Sequence, residues 1–295
     1  MHTIRHRRLQ PGQWALNGIL FAITFLTLYP FWHVLMYSFS DPQRAMGGGL
    51  FLWPKGISLD SYSMLFQNSG IFQAYGNSLF RLGVGTLVNV VMTATLAYPL
   101  SIRRFLWRTP LTLFIFFTML FSGGMIPTYL LVNSLGLVNT LWALIIPSAI
   151  SAWNFFIMKN YFQSLPAELE ESANMDGATP MVTLFRIIVP VSLPVIAAIA
   201  LFYGVFHWNA YFDAVLYIHS QSKEVLPIFL RSMMNFSAVE SSRSVAPADG
   251  ATMANISEES VRMATIVASV LPMLMIYPFL QKYYVKGVLI GSVKG

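Results

Sequence analysis

The sequence predicts an all-α integral membrane protein with about six transmembrane helices, and three observations carry that reading. Of 295 residues, 56% are hydrophobic and 10% charged, with a mean hydropathy of +0.60. A soluble domain needs about a quarter charged residues to meet water over its whole surface. Apolar stretches of roughly 20 residues, enough to cross a hydrocarbon core of about 30 Å as helices, recur along the whole chain. The basic residues collect between these stretches unequally, as a membrane requires.

The six stretches run over about 14–37, 80–102, 111–132, 141–161, 191–218 and 264–284. Pro30, Pro99, Gly123-Gly124, Pro127, Pro147, Pro272 and Pro278 fall inside them. Such residues are tolerated in membranes where neighbours re-satisfy the freed backbone groups, so kinked helices packed in a bundle are expected. The first stretch follows Arg5, Arg7 and Arg8 as a signal peptide would. It is too long for a signal h-region and lacks a small-residue cleavage site, so it reads as a retained helix with a cytoplasmic N-terminus.

Counting basic residues tests that orientation. The inside segments hold Arg5, Arg7, Arg8, Arg103, Arg104, Arg108, Lys159, Arg186, Lys282, Lys286 and Lys294. The outside segments hold Arg44, Lys55, Lys223, Arg231, Arg243 and Arg262, with Arg81 left out as lying near a helix end. The excess places both termini in the cytoplasm. Two outer loops, about 41–75 and 219–261, lack the length for domains of their own, so residues 1–295 read as a single transmembrane domain.

Composition also excludes. With no cysteine there is no disulfide framework, thiolate metal site or cysteine nucleophile. The net charge of +6 follows from cytoplasmic loop ends and needs no nucleic-acid partner. His33 and His207 stand without metal-ligand spacing, and no nucleophile–base pair is visible, so no metal and no catalytic residue is expected.

One hydrophilic stretch, about 163–190, has a specific pattern. Ser164-Leu165-Pro166 reads as a helix start, hydroxyl cap then proline. Glu168, Glu170 and Glu171 fill the first turns, where carboxylates favour the positive end of the helix dipole. Leu165, Leu169 and Ala173 make a small apolar stripe. Gly177 closes the helix, Thr179-Pro180 starts a second, and Pro190 and Pro194 mark entry into the fifth span. The product is a short helix–turn–helix at the cytoplasmic surface, rigidly joined to a transmembrane helix.

These residues carry a family resemblance. Glu171-Ser172-Ala173, Asp176-Gly177-Ala178, nine residues, Ile187 and then Pro190 resemble the EAA signature of ABC importer permeases. Ser172 replaces the first alanine of that signature and Val189 its leucine, with the spacing intact. Leu52-Trp53-Pro54 with Tyr62, Trp208-Asn209 and the terminal Gly291-Ser292-Val293-Lys294-Gly295 resemble the carbohydrate-uptake branch, the MalG and LplC type.

The resemblance implies a type I ABC importer permease fold in a bacterial inner membrane. Its partners would be a second, homologous permease, two ATPase subunits and an extracellular solute-binding protein, and its cargo a sugar, an oligosaccharide by preference. Glu168, Glu171, Ser172, Ala173, Asp176, Gly177, Ala178, Ile187 and Pro190 would then form the coupling helix that docks in the ATPase. ATP and magnesium would be held by those ATPases, with no cofactor in this chain, which lacks a Gly-x-x-x-x-Gly-Lys-[Ser/Thr] phosphate loop. The loop 219–261 resembles one that reaches into the binding protein in maltose-type permeases.

Polar residues inside spans are expensive and so mark candidates for the pathway. Asn154, Asn209 and Asp213, flanked by Trp153, Trp208 and Tyr211, offer amides and a carboxylate to hydroxyls and aromatic faces to sugar rings; helix bridging and an interfacial aromatic belt are the alternatives. An ion-coupled secondary transporter would need buried carboxylates, and Asp213 is the only acidic residue in any predicted span. A permease for a non-sugar solute is the other alternative.

Overall fold

The computed structural model describes residues 11–232 and 259–275. Most of these residues are helical, with one isolated β-bridge between Ser40 and Ile57. They divide into two compact units, one within Met1–Asn68 and Met233–Leu271, the other within Ser69–Ser232 and Pro272–Gly295.

The first unit opens with α1 (Pro11–Ser38). Over residues 16–28 its apolar side chains stay exposed, Phe21 at 74% and Leu26 at 76%, as suits a helix whose solvent is hydrocarbon. Thr24 and Thr27 turn their hydroxyls back onto the carbonyls of Leu20 and Ile23, which satisfies them without water. Asp41 caps α2 (Pro42–Ala45) by accepting from the amides of Gln43 and Arg44, ahead of a proline in the first turn. Residues 39–58 fold back on themselves, with Asp41 N–H donating to Gly56 and Ser58 N–H to Phe39. Trp32 Nε1 donates to the Leu52 carbonyl, and Ser38 Oγ lies 2.8 Å from the Tyr62 hydroxyl on α3 (Asp60–Gln67). Burial raises the Tyr62 phenol pKa and that hydrogen bond opposes the rise. Tyr37, Ala45 and Phe51 form a small core here, joined by Met36 and Met263.

The second unit is built on α4 (Ser69–Ser101). This helix starts eleven residues before the predicted second span, so the end of the expected outer loop 41–75 is helical. At 33 residues it is about 50 Å long, more than a bilayer core. The third predicted span is broken: α5 (Arg108–Leu120) and α6 (Met125–Ser134) meet at 117°. The cause lies at Gly124, which sits at φ +87 before α6. Gly136, at φ +66, closes α6 with bonds from Gly136 N to Asn133 O and Leu137 N to Val132 O, a Schellman turn.

The fourth span begins as two 3₁₀ turns, Leu141–Leu144 and Ile146–Ser148, which meet α7 (Ala152–Ser164) at 52°. Then come α8 (Glu168–Met175), α9 (Pro180–Thr183), a π-turn (Leu184–Ile188) and α10 (Val189–Val191). At Ser192 the chain bends by 89° into α11 (Leu193–Asn209), and α12 (Phe212–Tyr217) follows a break at Ala210-Tyr211. The last described helix, α13, covers 259–275.

Among the described residues, two helices are long and apolar enough to cross a membrane alone, and up to five spans result if each bent pair counts as one. The sixth predicted span, most of the loop 219–261 and the terminal Gly291–Gly295 fall wholly or partly outside the described residues. Helix α4 packs against α7 and α11 around Ala94, Ala97, Tyr98, Phe155, Met158, Phe162, Leu184, Ile188, Ile199 and Tyr203. A second core joins Val132, Ala143, Leu144, Ala214, Tyr217, Ile218 and Val225.

Candidate translocation pathway and coupling segment

Along α4 a stripe of small and polar residues recurs every three or four positions: Ser78, Arg81, Gly85, Asn89, Thr93 and Ala97, all buried. This spacing keeps them on one helix face, and each meets α7, α11 or the segments beside them. Arg81, 1% exposed, donates through Nη1 to the Ala210 carbonyl at 2.9 Å and pairs through Nη2 with Asp213. Asp213 Oδ1 also accepts from the Ala214 amide at 2.8 Å. Gly85 lies against the His207 ring. Asn89 Nδ2 donates to the Ser148 carbonyl at 2.9 Å. Thr93 Oγ1 lies 2.7 Å from the Tyr203 hydroxyl, whose oxygen accepts from the Ser151 amide. Ser151 in turn caps α7 by accepting from the Asn154 amide.

Two cavities lie along this seam. One, about 190 Å³, is lined by Ser148, Ser151, Asn154, Phe202, Tyr203 and Phe206. The other, about 400 Å³, is bordered by Ser148, Phe206, Tyr211, Asp213 and Tyr217 among others. They share Ser148 and Phe206, so hydroxyls, an amide, a carboxylate and aromatic faces follow one another along one wall.

Three of the six pathway residues expected from sequence, Asn154, Tyr211 and Asp213, come together on these cavities. Trp153 is 64% exposed and lines neither; Trp208 is 7% exposed and packs inside the unit. Asn209 turns its amide back to the Val205 carbonyl at 2.8 Å. Sequence reasoning missed Arg81, Asn89, Thr93 and Tyr203. The available signal was the four-residue recurrence of polar and small positions within an otherwise apolar span.

Beyond the cavities, loop 218–226 is held firmly. Asn139, at φ +60, receives the His219 and Ser220 amides on Oδ1 and donates from Nδ2 to Ser220 Oγ at 2.7 Å. Lys223 Nζ donates to the Asn139 carbonyl, and the Asn139 amide donates to Tyr217 O. Asn77 Nδ2 donates to the carbonyls of Ser222 and Glu224, and Ser78 Oγ accepts from the Leu226 amide. Burial raises the Glu224 carboxyl pKa above its usual value.

At the other end stands the segment 163–190, expected from sequence to dock in an ATPase. The expected role of Ser164 is corrected: it ends α7, its hydroxyl donating to the Tyr161 carbonyl at 2.7 Å. Helix α8 starts instead after Ala167, which makes no side-chain cap. Glu168, Glu170 and Glu171 do occupy its first turn. The closing turn is a full Schellman motif: Gly177, φ +76, donates to Asn174 O and Ala178 N to Ala173 O. Ala173 is buried, whereas Glu168, Glu171, Ser172, Asp176 and Gly177 stay exposed. Ile187 lies in the π-turn and Pro190 in α10, and Ile188 between them enters the core shared with α4, α7 and α11.

Comparison with known proteins completes this picture. Residues 69–290 match the family model described as the binding-protein-dependent transport system inner membrane component. The chain is 41% identical over 281 residues to the polygalacturonan/rhamnogalacturonan transport system permease protein YtcP of Bacillus subtilis (strain 168), covering 94% of this chain and 96% of that one. It is 44% identical over 272 residues to protein LplC of the same organism, covering 92% and 90%. A chain in the crystal structure of a bacterial ABC transporter involved in import of the acidic polysaccharide alginate superposes with a TM-score of 0.84 at 30% identity, covering 95% and 99%. A second alginate transporter chain, at 17% identity and a TM-score of 0.56, shares the fold.

Proposed function

Because the chain belongs to the family of binding-protein-dependent transport system inner membrane components, we propose that it is the permease subunit through which an oligosaccharide enters the cell. Cargo arrives on an extracellular solute-binding protein, and a second permease completes the channel. Two separate ATPases bind ATP with its magnesium. Both termini lie in the cytoplasm, and the two compact units act as one transmembrane domain. The sugar assignment is supported by relatives whose names specify polygalacturonan, rhamnogalacturonan and alginate.

One observation carries the mechanism: the exposed α8 is joined by short helical pieces to α11, whose Phe202, Tyr203 and Phe206 line the cavity beside Asn154. Ile188 and Tyr203 share one core, so a displacement at the ATPase face reaches the pathway through packed side chains. Closing of the ATPases on ATP shifts the populations of inward- and outward-facing states, since each is bound with different affinity. Asn154, Tyr211 and the half-exposed wall around Asp213 contact sugar hydroxyls and ring faces in passing.

The test is reconstitution. The tagged chain should co-purify with a second permease, an ATPase and a binding protein, and the complex in vesicles should take up labelled oligosaccharide only with ATP. Uptake of a non-sugar solute by the same complex would overturn the cargo. Transport by the chain alone under an ion gradient would overturn the whole assignment.

A further inference from the structure

A cleft of about 320 Å³ lies between the α4–α5 turn and the coupling segment. The turn and the start of α5 contribute Arg103, Arg104 and Arg108 to its lining, α8 contributes Glu170 and Glu171, and Ile102, Phe162 and Ile188 add apolar surface. Among the described residues a single ion pair crosses it, Arg104 to Glu171, at 3.8 Å with both side chains mostly exposed. Such an exposed pair contributes little to holding the cleft closed. Gln163 Nε2, in the same lining, is buried with no hydrogen-bond partner among the described residues. The volume is that of a small-molecule site, at the lower end of the range of about 300–1,000 Å³. From Arg108 the helix α5 leads away with no buried residue, exposing Leu111, Leu113, Phe114 and Phe117.

We propose that this cleft binds the headgroup of a phosphatidylethanolamine molecule from the cytoplasmic leaflet. Three arginines in the lining suit a phosphate diester, which accepts their forked donors. Two carboxylates in the same lining suit a primary ammonium, which donates hydrogen bonds that a quaternary choline cannot. A purely anionic headgroup would leave Glu170 and Glu171 facing negative charge, and a bare cation would leave the arginines unanswered. The spare amide donor of Gln163 serves a phosphate or ester oxygen. The acyl chains have the apolar surface of α5 beside them, so headgroup and tails are both accommodated. A lipid held here ties α8 to the turn after α4, so the coupling segment is braced from the membrane side.

The test uses the assembled importer, delipidated in detergent and exchanged into vesicles of phosphatidylcholine alone, or of equal parts phosphatidylcholine with either phosphatidylethanolamine or phosphatidylglycerol. Native mass spectrometry then counts retained lipid. The wild type should retain phosphatidylethanolamine over both others by roughly tenfold, the equivalent of one charge-assisted hydrogen bond. Arg103→Gln with Arg108→Gln should lose that retention, and Glu170→Gln with Glu171→Gln should shift it toward phosphatidylglycerol. Equal retention of the three lipids in the wild type, which needs no variant to fold, overturns the proposal. So does displacement of the lipid by inorganic phosphate, or retention only in complexes stripped of their ATPases.

Discussion

Arg81 and Asp213, 132 residues apart, form an ion pair that fastens α12 to α4. The arginine is 1% exposed, and its guanidinium is completed by the Ala210 carbonyl. Removing the carboxylate strands the buried guanidinium, a change that costs about 3–5 kcal/mol in buried pairs. Asp213→Leu alone should therefore lower the thermal midpoint of the complex more than Asp213→Leu combined with Arg81→Leu. A double variant as unstable as the sum of the singles would mean the two residues act independently.

Gly85 and His207 meet so closely that a Cβ on residue 85 would lie 2.6 Å from His207 Nε2. Gly85→Ala should destabilise by about 1–3 kcal/mol, the usual range for overpacking. Adding His207→Ala should recover part of that loss, measured by denaturation in the same detergent.

Asn139 combines a left-handed backbone, φ +60, with side-chain bonds to residues 219 and 220. Asn139→Ala loses those bonds and keeps the unfavourable backbone, at about 1–2 kcal/mol for the conformation alone. Asn139→Gly relieves the backbone and should be the milder change. Hydrogen exchange of the amides of residues 219–226 should rise in the order wild type, glycine, alanine.

Gly177 sits at φ +76 with open space around it, so strain rather than collision limits what can replace it. Gly177→Val should disturb the Schellman turn and weaken ATPase association by roughly tenfold, since about 1.4 kcal/mol suffices for that. The measurement is ATPase recovered on the tagged permease, read beside ATP-dependent uptake.

Glu224 supplies a pH dependence. Burial raises its carboxyl pKa above the ordinary 4.5, so the folded state holds this proton more tightly than the unfolded one. Its contribution to stability is complete below 4.5 and is lost as pH rises through the higher folded value. Glu224→Gln removes this slope, and the difference in melting temperature between variant and wild type should grow in the variant's favour from pH 4.5 upward.

What could be read from sequence was what local spacing encodes. The glutamates of α8, the buried Ala173 and the positive φ of Gly177 all follow from neighbours within a turn or two. Ser164 was misleading because Ser-Leu-Pro ends a helix as well as it begins one, and α7 runs on through Gln163 to claim the serine. Gly123-Gly124 announced a kink, but glycine permits many backbone angles, so the 117° bend itself was not legible. Arg81 was set aside as a helix-end residue because its partner is remote in sequence. The pathway candidates Trp208 and Asn209 occupy the expected helix, and its rotation, which periodicity alone did not define, turns them from the cavities.

The break between α5 and α6 bears on how long the molecule survives before assembly. Counted from Arg108, α5 rises about 20 Å, so Phe121 to Gly124 lie within a hydrocarbon layer of about 30 Å. All four residues are exposed in this chain, and peptide groups outside a helix find no donors or acceptors in lipid. A newly inserted copy is thus an uncomfortable solute of the bilayer until protein or water covers that kink. Assembly in step with its partner would therefore shorten the time that kink spends uncovered.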